Sequence, residues 1–179
     1  MRTFIYFRGA PGVGKITVAR LLQERIGWKL FWFHDLKNAV QRIVGEYRIP
    51  RLMDEVTIPV IRYLLAQRQN LIYVRPSSSL VGIEKIQQLV TTNLSYQFVV
   101  VRLEASYKTL QSRVTERSDP YRIDTQKKLD EYLANKSVAD FPGEHRIDTD
   151  GLTANEVATQ VEAILEDPAQ STGEVTVRD

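Results

Sequence analysis

The chain has 179 residues, a net charge of +2 and no cysteine. That length suits one domain able to bury a core without covalent staples, and the missing cysteines exclude disulfides, thiolate metal sites and a cysteine nucleophile. A net charge so near zero gives no compositional case for a nucleic-acid or membrane partner.

The charge is unevenly spread. Residues 1–120 carry 18 Lys and Arg against 9 Asp and Glu, and residues 121–179 carry 6 against 13. The basic part favours anionic ligands. The opening "MRTFIYFRGAPG" lacks the long apolar core of a signal peptide, and no run approaches membrane-spanning length, so a soluble, cytoplasmic protein is expected.

Apolar runs alternate with amphipathic stretches, the pattern of a parallel sheet with helices on both faces. "TFIYF" (Thr3 to Phe7) reads as the first strand. A helix follows from Lys15, with Val18, Leu21, Leu22 and Ile26 on one face and Gly27 placed to end it. "LFWF" (Leu30 to Phe33) is apolar at every position, as expected of a strand buried on both faces. Asp35 stands just past its end, where it can cap the following helix.

From Leu36 to Gln69 helical pieces are expected, broken around "YRIPRL", with Pro59 in the first turn of the helix reaching Arg68. "NLIYV" (Asn70 to Val74) is the third strand. Ser79 is placed to cap a helix carrying Ile83, Ile86 and Val90, and "YQFVVVRL" (Tyr96 to Leu103) is the fourth strand. Ser106 caps the next helix, which puts Leu110 and Val114 inside and Arg113 and Arg117 one turn apart. A further helix covers about 125–136, and "HRID" (His145 to Asp148) is a short fifth strand. Thr153 and Glu156 form a capping box for a last helix with Val157, Val161, Ile164 and Leu165 inward. The tail from Pro168 has too little apolar surface to fold and is expected to be flexible.

The chemistry concentrates in "GAPGVGKIT", Gly9 to Thr17. Between a strand and a helix, its glycines let the backbone turn and aim N–H groups at phosphate oxygens, and the helix N-terminus adds partial positive charge. Lys15 would neutralise the β- and γ-phosphates. The usual loop continues with Ser or Thr, whose hydroxyl ligates Mg²⁺. Here Ile16 takes that place, and Thr17 comes one position late, about 100° around the helix. A metal would then depend on ATP oxygens, water and another carboxylate. At the end of the third strand Arg75 cannot ligate a cation, so Asp35 is the candidate metal ligand.

The loop, Asp35, the Arg113 and Arg117 pair and "IDTDGLTANEV" together resemble the small P-loop kinases, over about residues 3–166. That group includes shikimate and gluconate kinases, chloramphenicol phosphotransferase and nucleoside monophosphate kinases. The resemblance implies a three-layer α/β fold with a five-stranded parallel sheet in the order 2-3-1-4-5. Residues 1–167 would form the kinase-like domain, and 168–179 the tail.

The resemblance further implies that Gly9, Ala10, Pro11, Gly12, Val13, Gly14, Lys15, Ile16 and Thr17 wrap the phosphates of ATP. Asp35 matches the carboxylate that accepts the acceptor's proton or orients Mg²⁺. Arg113 would lie against the adenine and Arg117 would reach the transferring phosphoryl. Asp150 and Gly151 would border the adenine. Lys15, Asp35 and Arg117 are then the catalytic residues. Ile16 and Arg75 depart from the pattern.

The expected function is ATP-dependent phosphoryl transfer to a small hydroxyl or phosphate acceptor entering between Leu36 and Arg75. Convergence there of Arg42, Arg48, Arg51, Arg62 and Arg75 would make the acceptor anionic. The alternative is a nucleotide-binding sensor or regulatory protein in which Ile16 impairs turnover. A nucleic-acid end kinase would need a strand-binding surface that charge alone does not establish. His34 and His145 read as packed histidines.

Overall fold

A computed structural model describes residues 1–45, 50–75, 80–94, 96–116, 123–135 and 139–166. Ser79, Arg117 and the tail from residue 168 lie outside them. The first strand, β1 (Arg2–Arg8), leads through the glycine-rich turn into α1 (Lys15–Ile26), and then come β2 (Lys29–Trp32) and α2 (Phe33–Val44). The chain continues through α3 (Pro50–Ala66), β3 (Leu71–Val74), α4 (Leu80–Leu94), β4 (Tyr96–Glu104), α5 (Tyr107–Thr115), α6 (Gln126–Asn135), β5 (His145–Asp148) and α7 (Ala154–Glu166).

All pairings are parallel, and the five strands stand in the expected order β2-β3-β1-β4-β5. Each crossover therefore returns the chain to the same edge, so the C-terminal ends of the strands and the loops that follow them lie together. β1 is central, with Phe7 level with Val74 of β3 and Val101 of β4. Alternation along it feeds two cores. Ile5 and Phe7 pack with Val18, Leu22, Leu110 and Val157 on the α1, α5 and α7 face. Phe4 and Tyr6 pack with Ile61, Leu65, Ile83 and Val90 on the α3 and α4 face.

Three local expectations are corrected. The "LFWF" run is not a doubly buried strand, because β2 is an edge strand whose residues are exposed or half-buried, and Phe33 already belongs to the helix. With no loop between β2 and α2, the N-cap is Trp32, and Asp35 falls in the first turn rather than at the cap. Pro59 lies inside α3 instead of starting it. The carbonyl it deprives of a partner belongs to Glu55, and both residues are exposed, so water can replace the bond.

The caps of α5 and α7 are as the sequence implies. Ser106 Oγ accepts from Thr109 N at 3.3 Å. Thr153 N donates to the Glu156 carboxylate at 2.7 Å, and Glu156 N donates to Thr153 Oγ1 at 3.2 Å. No helix among the described residues is long and apolar enough to cross a membrane.

Candidate functional site

The loop joins β1 to α1 at the C-terminal edge of the sheet. Gly9, at φ +133°, is demanded by packing, since a Cβ there would lie 2.2 Å from the Leu103 carbonyl oxygen of β4. Gly14, at φ +93°, has open space around it and serves the turn instead. It is the N-cap of α1 and brings no side-chain cap, and the first turn contains no acid. The N-terminal N–H groups of α1 thus keep their affinity for an external anion. Lys15 Nζ donates to the carbonyls of Gly9 at 2.8 Å and Ala10 at 2.7 Å, which fixes its positive charge over the loop.

Beside the loop lies a cleft of about 380 Å³, lined on one side by Gly12, Gly14, Thr17 and Val18 and on the other by Arg113, Leu152 and Val157. Arg113 is held in place twice. Its Nη1 donates to Thr149 Oγ1 at 2.9 Å and its Nη2 to the Thr149 carbonyl at 3.0 Å. Thr149 is buried and donates its own hydroxyl to the Glu104 carbonyl at the end of β4. The cleft therefore offers an apolar wall, an oriented guanidinium and the Glu116 carboxylate next to the backbone of the glycine-rich loop. A planar ring joined to a polyphosphate fits both halves.

Asp150 and Gly151 stand in the turn between β5 and α7. Asp150 turns away from the cleft lining: both carboxylate oxygens accept from Ser106 N at 3.1 Å. Hydrogen bonds from the side chains of Ser106 and Thr109, with the nearby Arg113 charge, hold its carboxyl below the usual range. Gly151 takes a positive φ of 69°. Thr149, which the motif reading passed over, is the residue that positions Arg113, and its signal is the small hydroxyl directly before the Asp-Gly turn.

Asp35 is exposed in the first turn of α2 and does not line the nucleotide-sized cleft. Of the five arginines expected at the acceptor side, Arg75 is next to the loop, its backbone N–H donating to the Phe7 carbonyl at 3.3 Å. Its guanidinium carbon lies 4.6 Å from the Phe33 ring centroid, and Nη2 is 3.2 Å from Asp54 Oδ1. Burial works against its charge, but the phenols of Tyr73 and Tyr6 and the Asp54 carboxylate outweigh that and raise its pKa. Arg42 is exposed in the last turn of α2, and Arg62 lines a groove between α3 and α4. Arg48 and the side chain of Arg51 lie outside the described residues.

The donor set fits a protein-held Mg²⁺ poorly. Ile16 offers no oxygen, Arg75 is a cation, and no group of three or more His, Cys, Asp or Glu side chains that could hold a metal occurs among the described residues. A magnesium ion arriving with ATP would keep phosphate and water oxygens as its ligands.

Behind the loop, Arg8 is fully buried and its Nη1 pairs with Glu144 at 2.9 Å. Nη2 donates to the Ala139 carbonyl at 2.7 Å. The residue immediately before Gly9 is thereby tied to the segment leading into β5. Nothing in the sequence pattern marked this pair, because residues 136 positions apart share no periodicity.

No protein-family model matches the chain. It is 26% identical over 160 residues to a Pyrococcus furiosus protein named "Putative adenylate kinase", covering 88% of this chain and 81% of that one. Among solved structures, a gluconokinase from Sinorhizobium meliloti superposes with a TM-score of 0.65 at 17% identity, covering 93% of this chain and 94% of that one. The APS kinase of Mycobacterium tuberculosis, solved with AMPPNP and APS, gives 0.63 at 17% identity, covering 93% and 98%.

Proposed function

Because the chain has the fold of the small P-loop kinases, we propose that it binds ATP and transfers the γ-phosphoryl group to a small-molecule acceptor. The observation that carries this is the single cleft in which Gly12, Gly14 and Thr17 face Arg113. The base lies against Arg113 and Leu152, and the triphosphate runs along residues 9–17. Lys15 and the N–H groups of α1 stabilise charge as it moves between the bridging and terminal oxygens. The name "Putative adenylate kinase" carried by the similar Pyrococcus furiosus protein supports phosphoryl transfer as the reaction class.

The acceptor approaches between α2, α3 and the end of β3. There Asp35 orients or deprotonates its hydroxyl and Arg75 meets any negative charge the acceptor carries; Arg117, outside the described residues, keeps the role of stabilising the transferring group that the resemblance gives it. The test is ATP turnover, followed as ADP release, across a panel of sugars, hydroxy acids and nucleoside monophosphates. Acceptor-stimulated turnover that is lost in Asp35→Asn supports the proposal. ATP binding without stimulation by any acceptor contradicts it.

The donor set favours one second reading, a nucleotide-binding regulatory protein with slow turnover. Ile16 and Arg75 both stand where a kinase would place metal-directed oxygens, and such a protein would alter a partner's affinity on binding ATP.

A further inference from the structure

Two clefts at the opposite, N-terminal edge of the sheet share Lys29, Gln69 and Asn70. The larger, about 450 Å³, adds Arg2, Trp28 and Arg68, and the smaller, about 210 Å³, adds Tyr63 and Gln67. Neither is lined by an Asp or Glu among the described residues. They lie at the far end of seven-residue β1, roughly 20 Å from the phosphate loop at ~3.3 Å per residue.

The surface is built rather than loose. Arg2 Nε donates to the Arg68 carbonyl, Tyr96 donates its hydroxyl to the Gln69 carbonyl at 2.9 Å, and Asn70 Oδ1 accepts from Thr3 N at 2.8 Å. Arg68 is the one described non-glycine residue at positive φ, +54°, just past the end of α3. Its N–H donates to the Leu65 carbonyl at 2.9 Å and closes the end of α3, a position that glycine or asparagine takes more easily. Cations at this edge also complement the carbonyl ends of α1 and α3, and Trp28 is half-buried against the core, but neither role accounts for Tyr63. Tyr63 is 67% exposed although it is a large hydrophobic side chain.

We propose that this edge binds a single-stranded nucleic acid. Lys29 lines both clefts, the half-buried Trp28 lines one and the exposed Tyr63 the other, so a strand crossing the two clefts would set a phosphate at Lys29 with bases beside the aromatics. Stacking on aromatic faces together with a basic groove is how single strands are held without sequence preference. Arg2 and Arg68 extend the phosphate contact, and Gln67, Gln69 and Asn70 supply amides at the base edges. The site is independent of ATP, because the phosphate loop stands at the other end of β1. Near-neutral composition hid it, since the acidic residues that balance the net charge are concentrated after residue 120.

The test is fluorescence anisotropy of a labelled oligouridylate with a 5′-hydroxyl end, titrated with protein first without ATP and then with saturating ATP. Arg68→Gly is the decisive variant, since it removes a cation while suiting the positive φ, and an unchanged thermal melt separates weaker binding from unfolding. Binding should fall about tenfold in Arg68→Gly and in Lys29→Ala, and the slope of log K against log salt should drop by about 0.7 for each cation removed. Tyr63→Ala should weaken binding with the slope unchanged. Absence of binding, binding unaffected by these variants, displacement by ATP, or full displacement by an equal concentration of uridine monophosphate would overturn the proposal.

Discussion

Arg113 and Thr149 are joined by two hydrogen bonds, to the hydroxyl at 2.9 Å and to the carbonyl at 3.0 Å, which fix a guanidinium in the lining of the cleft beside the glycine-rich loop. If that guanidinium stacks on the base of ATP, Arg113→Ala should weaken ATP binding about tenfold, equal to roughly 1.4 kcal/mol. Thr149→Val should weaken it less, because the carbonyl bond survives. Calorimetric titration of ATP into each variant checks both.

The two loop glycines predict opposite outcomes for the same substitution. Gly9→Ala drives a Cβ into the Leu103 carbonyl and should cost about 4 kcal/mol or prevent folding, the upper end for a single replacement. Gly14→Ala meets no atom within 4 Å, and only its positive φ is unfavourable, so the cost should be about 1 kcal/mol. Urea unfolding distinguishes them.

Much of the fold was legible because each apolar run is bounded by turn or capping residues, and β1, β3, β4, β5 and the capping box at Thr153 follow directly from those boundaries. The places where sequence and structure differ have two causes. "LFWF" is equally apolar in a doubly buried strand and in an edge strand that passes straight into a helix, so the run could not reveal that Phe33 starts α2. The same shift moved Asp35 off the cap. Pro59 looked like a helix start because proline favours first turns, yet its exposed face lets water satisfy the lost bond. In the site, the loop was readable from local spacing, whereas Thr149 under Arg113 and Asp54 against Arg75 are contacts between distant segments and leave no periodic trace.

Glu144 is 2% exposed and pairs with the fully buried Arg8. Glu144→Gln should leave the arginine's charge uncompensated and destabilise the fold by about 3–5 kcal/mol. Replacing Arg25, whose bridge to Glu162 is partly exposed on both sides, should cost about 1 kcal/mol or less. Parallel denaturant melts of Glu144→Gln and Arg25→Ala measure the contrast.

Asp150 carries a pH signature. Its folded pKa is lowered, chiefly by hydrogen bonds from the side chains of Ser106 and Thr109. A depressed carboxylate contributes stability above its unfolded value, near 3.8, and loses it as pH falls through the folded value. The melting temperature should therefore drop more steeply below about pH 4 in the parent than in Asp150→Asn, with little difference in slope near neutrality. Thermal melts across pH 2.5 to 7 at constant ionic strength test this.

The most direct measurement of the central claim is calorimetric titration of ATP into the parent and into Lys15→Met, each with Mg²⁺ and with a chelator. Saturable binding to the parent, weakened at least tenfold by Lys15→Met and little changed by chelation, is the result predicted for a phosphate loop that holds the nucleotide itself. Binding that survives the loss of the Lys15 charge, or that vanishes on chelation, would contradict it.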